Sequence, residues 1–432
     1  MEKFIIRGGK PLHGTMRPSG NKNAALPMMA ACLLTGEAVT LHNMPDIDDT
    51  RTMALLMQSL GVEITKVPET STWIFKAAHI RPKDLDPDLC RQIRASILLA
   101  GPMTARFGGL SLPPPGGDVI GRRRVDTHIM ALEKLGAKFD YQEFFKFSSD
   151  GLVGADILLD EASVTATENT VMAAVLAKGT THIRNAASEP HIQQLCHLLN
   201  VMGARIENIG SNVLSIEGVD QLHGGEFTIG PDYLEVISFV GATVVTGGEI
   251  RIQDAGVDYL RMIQLVLRRL GVEMIFDGDD IIVPAEQKLV IQPDLGNAIP
   301  EISVMPWPAF PTDLMSIAIV IATQAKGTIL FHDWMYPSRM FFIDKLVSMG
   351  AQIILCDPHR CIVNGPTPLN AEKLDSPDIR AGIALVIAAL SAKGESTIRN
   401  VGQIDRGYER IEEKLQLLGA DIVRKRTFTA AP

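Results

Sequence analysis

Apolar and polar positions along the chain alternate in two phrases that recur with a period of roughly seventy residues. In one, a helical pattern runs into an apolar residue, a glycine and a small residue before a strand: Leu60-Gly61-Val62, Leu135-Gly136-Ala137, Met202-Gly203-Ala204, Leu270-Gly271-Val272, Met349-Gly350-Ala351 and Leu418-Gly419-Ala420. Glycine at that place predicts a helix stop. In the other, a small-residue apolar helix runs through a glycine into a short alternating strand. Its copies lead to Val39–Asn43, Leu110–Leu112, His182–Asn185, Ile250–Ile252, Ile329–His332 and Thr397–Asn400. Helices apolar on most faces need burial on every side, so these six are predicted inside.

Each unit therefore reads helix, strand, loop, helix, strand, strand. Six such units predict an α/β protein in two domains of three, since the period is too long for a slender solenoid.

Polar and charged residues gather just before each small-residue helix: Ser19 to Asn23, Arg91 to Ser96, Ser163 to Thr165, Pro231 to Glu235, Phe310 to Asp313 and Pro377 to Arg380. A helix start carries unsatisfied N–H donors and partial positive charge. An N-cap accounts for Ser163 or Asp313; it does not account for Lys22, Arg94 and Arg380, which oppose the dipole. Cations repeated at such places point to an anionic ligand that holds them.

The loop between first strand and second helix is the other gathering place. Unit five has Tyr336-Pro-Ser-Arg339 there and unit six has Asp405-Arg-Gly-Tyr-Glu-Arg410. Unit two has the long stretch Leu112-Pro-Pro-Pro-Gly-Gly-Asp-Val-Ile-Gly-Arg-Arg-Arg-Val-Asp126. Its prolines and glycines exclude regular structure. An enlargement confined to one copy marks function, because scaffold needs are equal in every copy.

Composition adjusts this picture in three ways. With 46% hydrophobic residues the 432-residue chain can fill well-buried cores. The net charge of −9 argues against a broad nucleic-acid face, so any anion site must be concentrated. No apolar run approaches the roughly 20 residues that span a bilayer, and the Met1-Glu-Lys-Phe start lacks a signal peptide's apolar region, which predicts a cytoplasmic protein without membrane or nucleic-acid partners. Five scattered cysteines fit reduced thiols. Cys356-Asp-Pro-His-Arg-Cys361 reads as a turn between two strands rather than a metal site. Motifs for nucleotide hydrolysis, nicotinamide binding and zinc hydrolysis are missing, and no cofactor is expected. Lys22, Arg94, Arg123, Arg339, Arg380 and Arg406 suit a small, highly charged anion, and Asp118, Asp313 and Asp405 suit proton transfer.

In this combination and order, Ser19 to Leu26, Arg94-Ala-Ser96, Leu112 to Asp126 with His128, Ser163-Val164 with Ala166 to Asn169, Pro308 to Asp313, Asp378 to Ala381 and Asp405 to Arg410 resemble the enolpyruvyl transferase family over essentially the whole chain. The resemblance is to the branch acting on UDP-N-acetylglucosamine rather than to the shikimate branch. It implies a two-lobed inside-out α/β barrel, three units per lobe, with 22–230 as the first lobe carrying the catalytic loop 112–126, and 1–21 plus 231–432 as the second. It also implies transfer of the enolpyruvyl group of phosphoenolpyruvate to the 3-hydroxyl of UDP-N-acetylglucosamine, releasing phosphate, in the first committed step of peptidoglycan synthesis. By the same resemblance Asp313 takes the hydroxyl proton. Lys22, Arg123 and Arg406 hold the phosphate, and Arg339, Arg380 and Arg406 the carboxylate. Asn23, Arg94, Arg123, Arg124, Val125, Asp126, Thr127, Ser163, Val164, Thr165 and Asp313 line the UDP-sugar site.

Departures from the family pattern carry their own expectations. Asp118 stands where most members have the cysteine that fosfomycin alkylates, which implies insensitivity to that drug. An aspartate of ordinary pKa near 3.9 is about one part in a thousand protonated at pH 7, whereas a thiol near 8.5 is almost all protonated. As proton donor to the methylene carbon, Asp118 therefore depends on the anion beside it to raise its pKa. Arg124 replaces a usual proline, Thr165 a usual glycine, and Tyr233 lies in a divergent Pro231-to-Ser238 segment. These leave two alternatives: another sugar nucleotide as acceptor, or a non-catalytic phosphosugar-binding sensor.

Overall fold

A computed structural model describes residues 2–426 apart from 82–83, 118–120 and 122. The small-residue helices are Lys22–Ala31, Ala100–Phe107, Val164–Ala174, Tyr233–Thr246, Met315–Gln324 and Ile379–Ser391. Every residue of Val236–Val244 and of Ile383–Leu390 is buried, as the lack of a polar face requires. Caps fix the starts: Asn21, Ser163, Asp232 and Asp378 each accept from a backbone N–H of the first turn. The helices at Ala100 and Met315 are instead entered through the 3₁₀ turns Arg94–Leu99 and Thr312–Leu314.

The second helix of each unit ends at the repeated glycine. All six glycines are left-handed, with φ between +82° at Gly271 and +103° at Gly61, which is why the phrase tolerates no side chain there.

The described residues form six sheets, five of four strands on one plan and one of three, in which Phe145–Ser148 lies between Gly109–Leu112 and Lys138–Tyr141. In the third, Thr180–Arg184 pairs parallel with Asp156–Leu158 and antiparallel with Val213–Glu217, which carries Arg205–Glu207 on its far side. An asparagine after the central strand repeats too. Asn43, Asn185 and Asn400 are left-handed, and their amides donate to the carbonyls of Ile229, Leu159 and Ser376, just beyond the parallel neighbour. Asparagine is among the few side-chain-bearing residues that tolerate this backbone.

Two features break the simple six-unit reading. Strand His13–Met16 precedes the first buried helix yet pairs with Glu249–Ile252, and Gly225–Thr228 precedes the fourth yet pairs with Ala38–His42, so these leading strands are exchanged. The sixth unit has one strand after its second helix, Asp421–Arg426, and its missing partner is the N-terminal strand Glu2–Arg7, inserted between that strand and Glu395–Arg399.

The chain divides into two compact units, one of residues 20–118 and 123–230, the other of 1–19, 119–122 and 231–432. Each has a separate apolar core. Cys356 and Cys361 flank a hairpin turn closed by Asp357, whose carboxylate accepts from the N–H groups of His359 and Arg360. Among the described residues no helix is long and apolar enough to cross a membrane.

Candidate active site

In the 20–230 unit, Lys22 begins the first buried helix and is itself 7% exposed. Its ammonium lies 2.6 Å from the Asp49 carboxylate, so a protein acid holds this cation against the helix dipole. Asn23 follows it, half-buried, in the same turn.

Arg94 reaches the far end of the enlarged loop, its Nη2 donating to the carbonyls of Arg123 at 3.2 Å and Arg124 at 2.7 Å. Glycine is required where that loop passes: a Cβ on Gly116 would stand 1.7 Å from the Arg91 carbonyl oxygen, and Gly117 is left-handed. Asp118 lies outside the described residues.

Arg124 turns to acids of its own unit, Asp126 at 3.2 Å and Asp160 at 2.8 Å. Asp160 also accepts from the Thr127 hydroxyl, which with Arg124 holds its carboxyl below the usual range. Val125 is half-buried against the core, and Asp126 opens the helix Asp126–Lys134.

Thr165, in the first turn of the helix that Ser163 caps and Val164 begins, meets the next link. His128 Nε2 is 3.0 Å from Thr165 Oγ1, and its Nδ1 accepts from the Asn169 amide at 2.8 Å, which fixes the proton on Nε2. Asn169 also donates to Ile97 O and accepts from Gly101 N. Burial, aided by Arg94, pushes the His128 pKa down to about 3. The neutral ring is thus a rigid spacer joining residue 165 to the Arg94 segment.

In the 231–432 unit, Asp313 accepts from Arg339 Nη2 at 2.9 Å on one oxygen and Arg380 Nε at 3.1 Å on the other. The arginines are 3% and 5% exposed, a burial that arginine tolerates only with partners. Burial lowers their pKa values, and the surrounding groups together, Asp313 foremost, more than offset it, leaving both raised. Arg339 Nε and Arg380 Nη1 remain buried without a hydrogen-bond partner among the described residues. An anion with more than one oxygen would satisfy them. Arg380 also lies over the Tyr408 ring, and burial pushes the Tyr408 hydroxyl up to about 12 while Ser238 bonds it at 2.9 Å. Arg406, half-buried, donates to Gln403 at 3.2 Å. Tyr233 packs beside Trp307, the ring centres 6.2 Å apart and the planes tilted by 46°.

Two sequence expectations need correction. Asp405 is not a spare acid: both its oxygens accept from Arg424, which also binds Glu2 and Glu412 across the sixth sheet. The cations at helix starts are held by protein groups, Lys22 by Asp49, Arg380 by Asp313 and Arg94 by carbonyls, rather than standing only for a ligand. Asp49 and Asp160 escaped sequence reading. Asp49 looks like an ordinary acid in a helix's first turn, and nothing local ties it to Lys22.

Comparison with known proteins now gives the class. Residues 6–415 match the family model of EPSP synthase (3-phosphoshikimate 1-carboxyvinyltransferase), and the chain belongs to that family. It is 54% identical over 422 residues to the UDP-N-acetylglucosamine 1-carboxyvinyltransferase of Bradyrhizobium diazoefficiens, covering 98% of each chain. The protein of the same name from Treponema denticola is 51% identical over 425 residues, 98% of this chain and 100% of that one. The fold is similar to that of the enolpyruvyl transferase NikO from Streptomyces tendae, with a TM-score of 0.87, 24% identity and 99% of both chains covered.

Proposed function

We propose that this chain transfers the enolpyruvyl group of phosphoenolpyruvate to the 3-hydroxyl of UDP-N-acetylglucosamine and releases phosphate, the first committed step of peptidoglycan synthesis. Relatives of that name at about half identity over nearly the whole chain support the reading. The observation that carries it is Asp313 between two buried arginines that each keep an N–H without a partner among the described residues.

The chemistry is addition followed by elimination. The sugar hydroxyl gives its proton to Asp313 as its oxygen bonds to C2 of phosphoenolpyruvate, and Asp118 protonates C3, giving a tetrahedral adduct. The C2–O bond to phosphate then breaks, C3 returns a proton, and the double bond re-forms. Arg339, Arg380 and Arg406 take the carboxylate, and Lys22, Arg123 and Arg406 the phosphate. Each guanidinium that turns to the substrate leaves an Asp313 oxygen open for the hydroxyl. Fixed cations that meet developing charge are usually the largest catalytic contribution. Asn23, Arg94, Arg123 to Thr127 and Ser163 to Thr165 bind the UDP-sugar.

The test is phosphate release on mixing the chain with phosphoenolpyruvate and UDP-N-acetylglucosamine. Asp313→Asn should lower turnover by about 10²- to 10⁴-fold while still binding the UDP-sugar by calorimetry. Release only with another sugar nucleotide would keep the reaction and move the acceptor, which the Arg124 and Thr165 departures make the second reading. Silence with every acceptor would leave a phosphosugar-binding sensor.

A further inference from the structure

The fifth unit breaks a rule that three of its siblings keep. Where Asn43, Asn185 and Asn400 follow the central strand and bind the carbonyl beyond the parallel neighbour, the fifth unit has Asp333. The carbonyl in question is that of Val304, and here the Trp334 indole N–H supplies the donor, at 2.8 Å. The next residue has taken over the scaffold bond, and position 333 is released for another use.

That use is visible in its partners. Asp333 is fully buried, and one carboxylate oxygen lies 2.5 Å from the hydroxyl of Thr312, the residue preceding Asp313. The other accepts from Met335 N at 3.1 Å, closing the turn that runs through Tyr336 to Arg339. Its backbone is clamped by His359, which donates from Nδ1 to Asp333 O at 2.7 Å and accepts from Asp333 N at 2.8 Å. One side chain thus joins the segment bearing Asp313 to the turn bearing Arg339, and those two meet at 2.9 Å. Burying a carboxyl is costly, and a scaffold needing only a strand end would use asparagine, as three siblings do. Burial raises the Asp333 pKa despite the Thr312 bond and the nearby Arg339, a cost consistent with a role beyond the scaffold.

We propose that Asp333 is a positioning residue for the reaction, setting through Thr312 and the 333–339 turn the approach of Asp313 to the acceptor hydroxyl; this rests on the reading of Asp313 as the base. It touches no substrate. Misplacing a base by a fraction of an ångström slows chemistry more than it weakens binding.

The experiment compares Asp333→Ala, Asp333→Asn, Thr312→Val and Asp313→Ala in the full chain, by kcat and KM. Asp333→Ala and Thr312→Val should each lower kcat roughly tenfold to a hundredfold, with KM for the UDP-sugar little changed. Asp333→Asn, which keeps the shape and can still bond Thr312 and Met335 N, should recover much of the loss. The Asp333→Ala, Thr312→Val pair should be no worse than the poorer single variant, because both break one link. Wild-type kcat in Thr312→Val and Asp333→Ala, beside an inactive Asp313→Ala, would overturn the positioning role alone. If Asp333→Ala does not fold, Thr312→Val decides by the same criterion. An active Asp313→Ala would overturn the reading beneath it.

Discussion

The Lys22 ammonium and the Asp49 carboxylate stand 2.6 Å apart with side chains only 9% and 6% exposed. Such a pair is costly to break from one side, because the survivor is left charged and buried. Asp49→Ala should cost about 3–5 kcal/mol in urea unfolding, whereas the double replacement Lys22→Met, Asp49→Leu should cost far less. That double variant should still lose turnover, since Lys22 is assigned to the phosphate. A stable and active double variant would remove Lys22 from the site.

The neutral His128 predicts a pH dependence. Its pKa is about 3 in the folded chain, below its ordinary value of 6.5. As pH falls below that ordinary value the unfolded state gains a proton that the folded state refuses, so stability falls with pH until about 3. The slope from this one group is about 1.4 kcal/mol per pH unit in that window. His128→Gln should be less stable than wild type at pH 7.5, and the gap should narrow as pH falls from 6.5 to 5. Parallel stability curves would contradict a buried neutral ring.

Much of the scaffold is readable from short-range signals. The six glycines are required by their own backbone angle, and Asn21, Ser163, Asp232 and Asp378 cap helices within three residues of themselves. What escapes depends on distance along the chain. Glu2–Arg7 completes the sixth sheet against Glu395–Arg399, and no local pattern announces a partner that far away. Asp49 and Asp333 escape for the same reason, since each is paired with a segment some twenty or more residues off. Asp405 shows as a charge in its own motif, whereas its partner Arg424 lies on the strand beyond the next helix.

Arg124 and Thr165 test whether departures from the family pattern matter. Arg124 is 43% exposed and its acidic partners are exposed too, so Arg124→Ala should leave the urea unfolding midpoint almost unchanged. Its effect should appear instead as a KM for UDP-N-acetylglucosamine raised about two- to fivefold, with KM for phosphoenolpyruvate unchanged. A change confined to phosphoenolpyruvate would place Arg124 elsewhere.

Asp118 predicts a drug phenotype from sequence alone. Wild type should resist fosfomycin and take no covalent adduct by mass spectrometry. Asp118→Cys should remain active and become alkylated, and Asp118→Asn should lose about 10²- to 10⁴-fold in turnover. A fully active Asn variant would remove the proton-donor role.

The central claim is tested most directly by the mass of the product. Incubated with phosphoenolpyruvate and UDP-N-acetylglucosamine, the wild-type chain should convert the nucleotide sugar to a species heavier by one enolpyruvyl group in place of a hydrogen, with one phosphate released per molecule. UDP-N-acetylglucosamine recovered unchanged at saturating phosphoenolpyruvate, with no phosphate released, would contradict it.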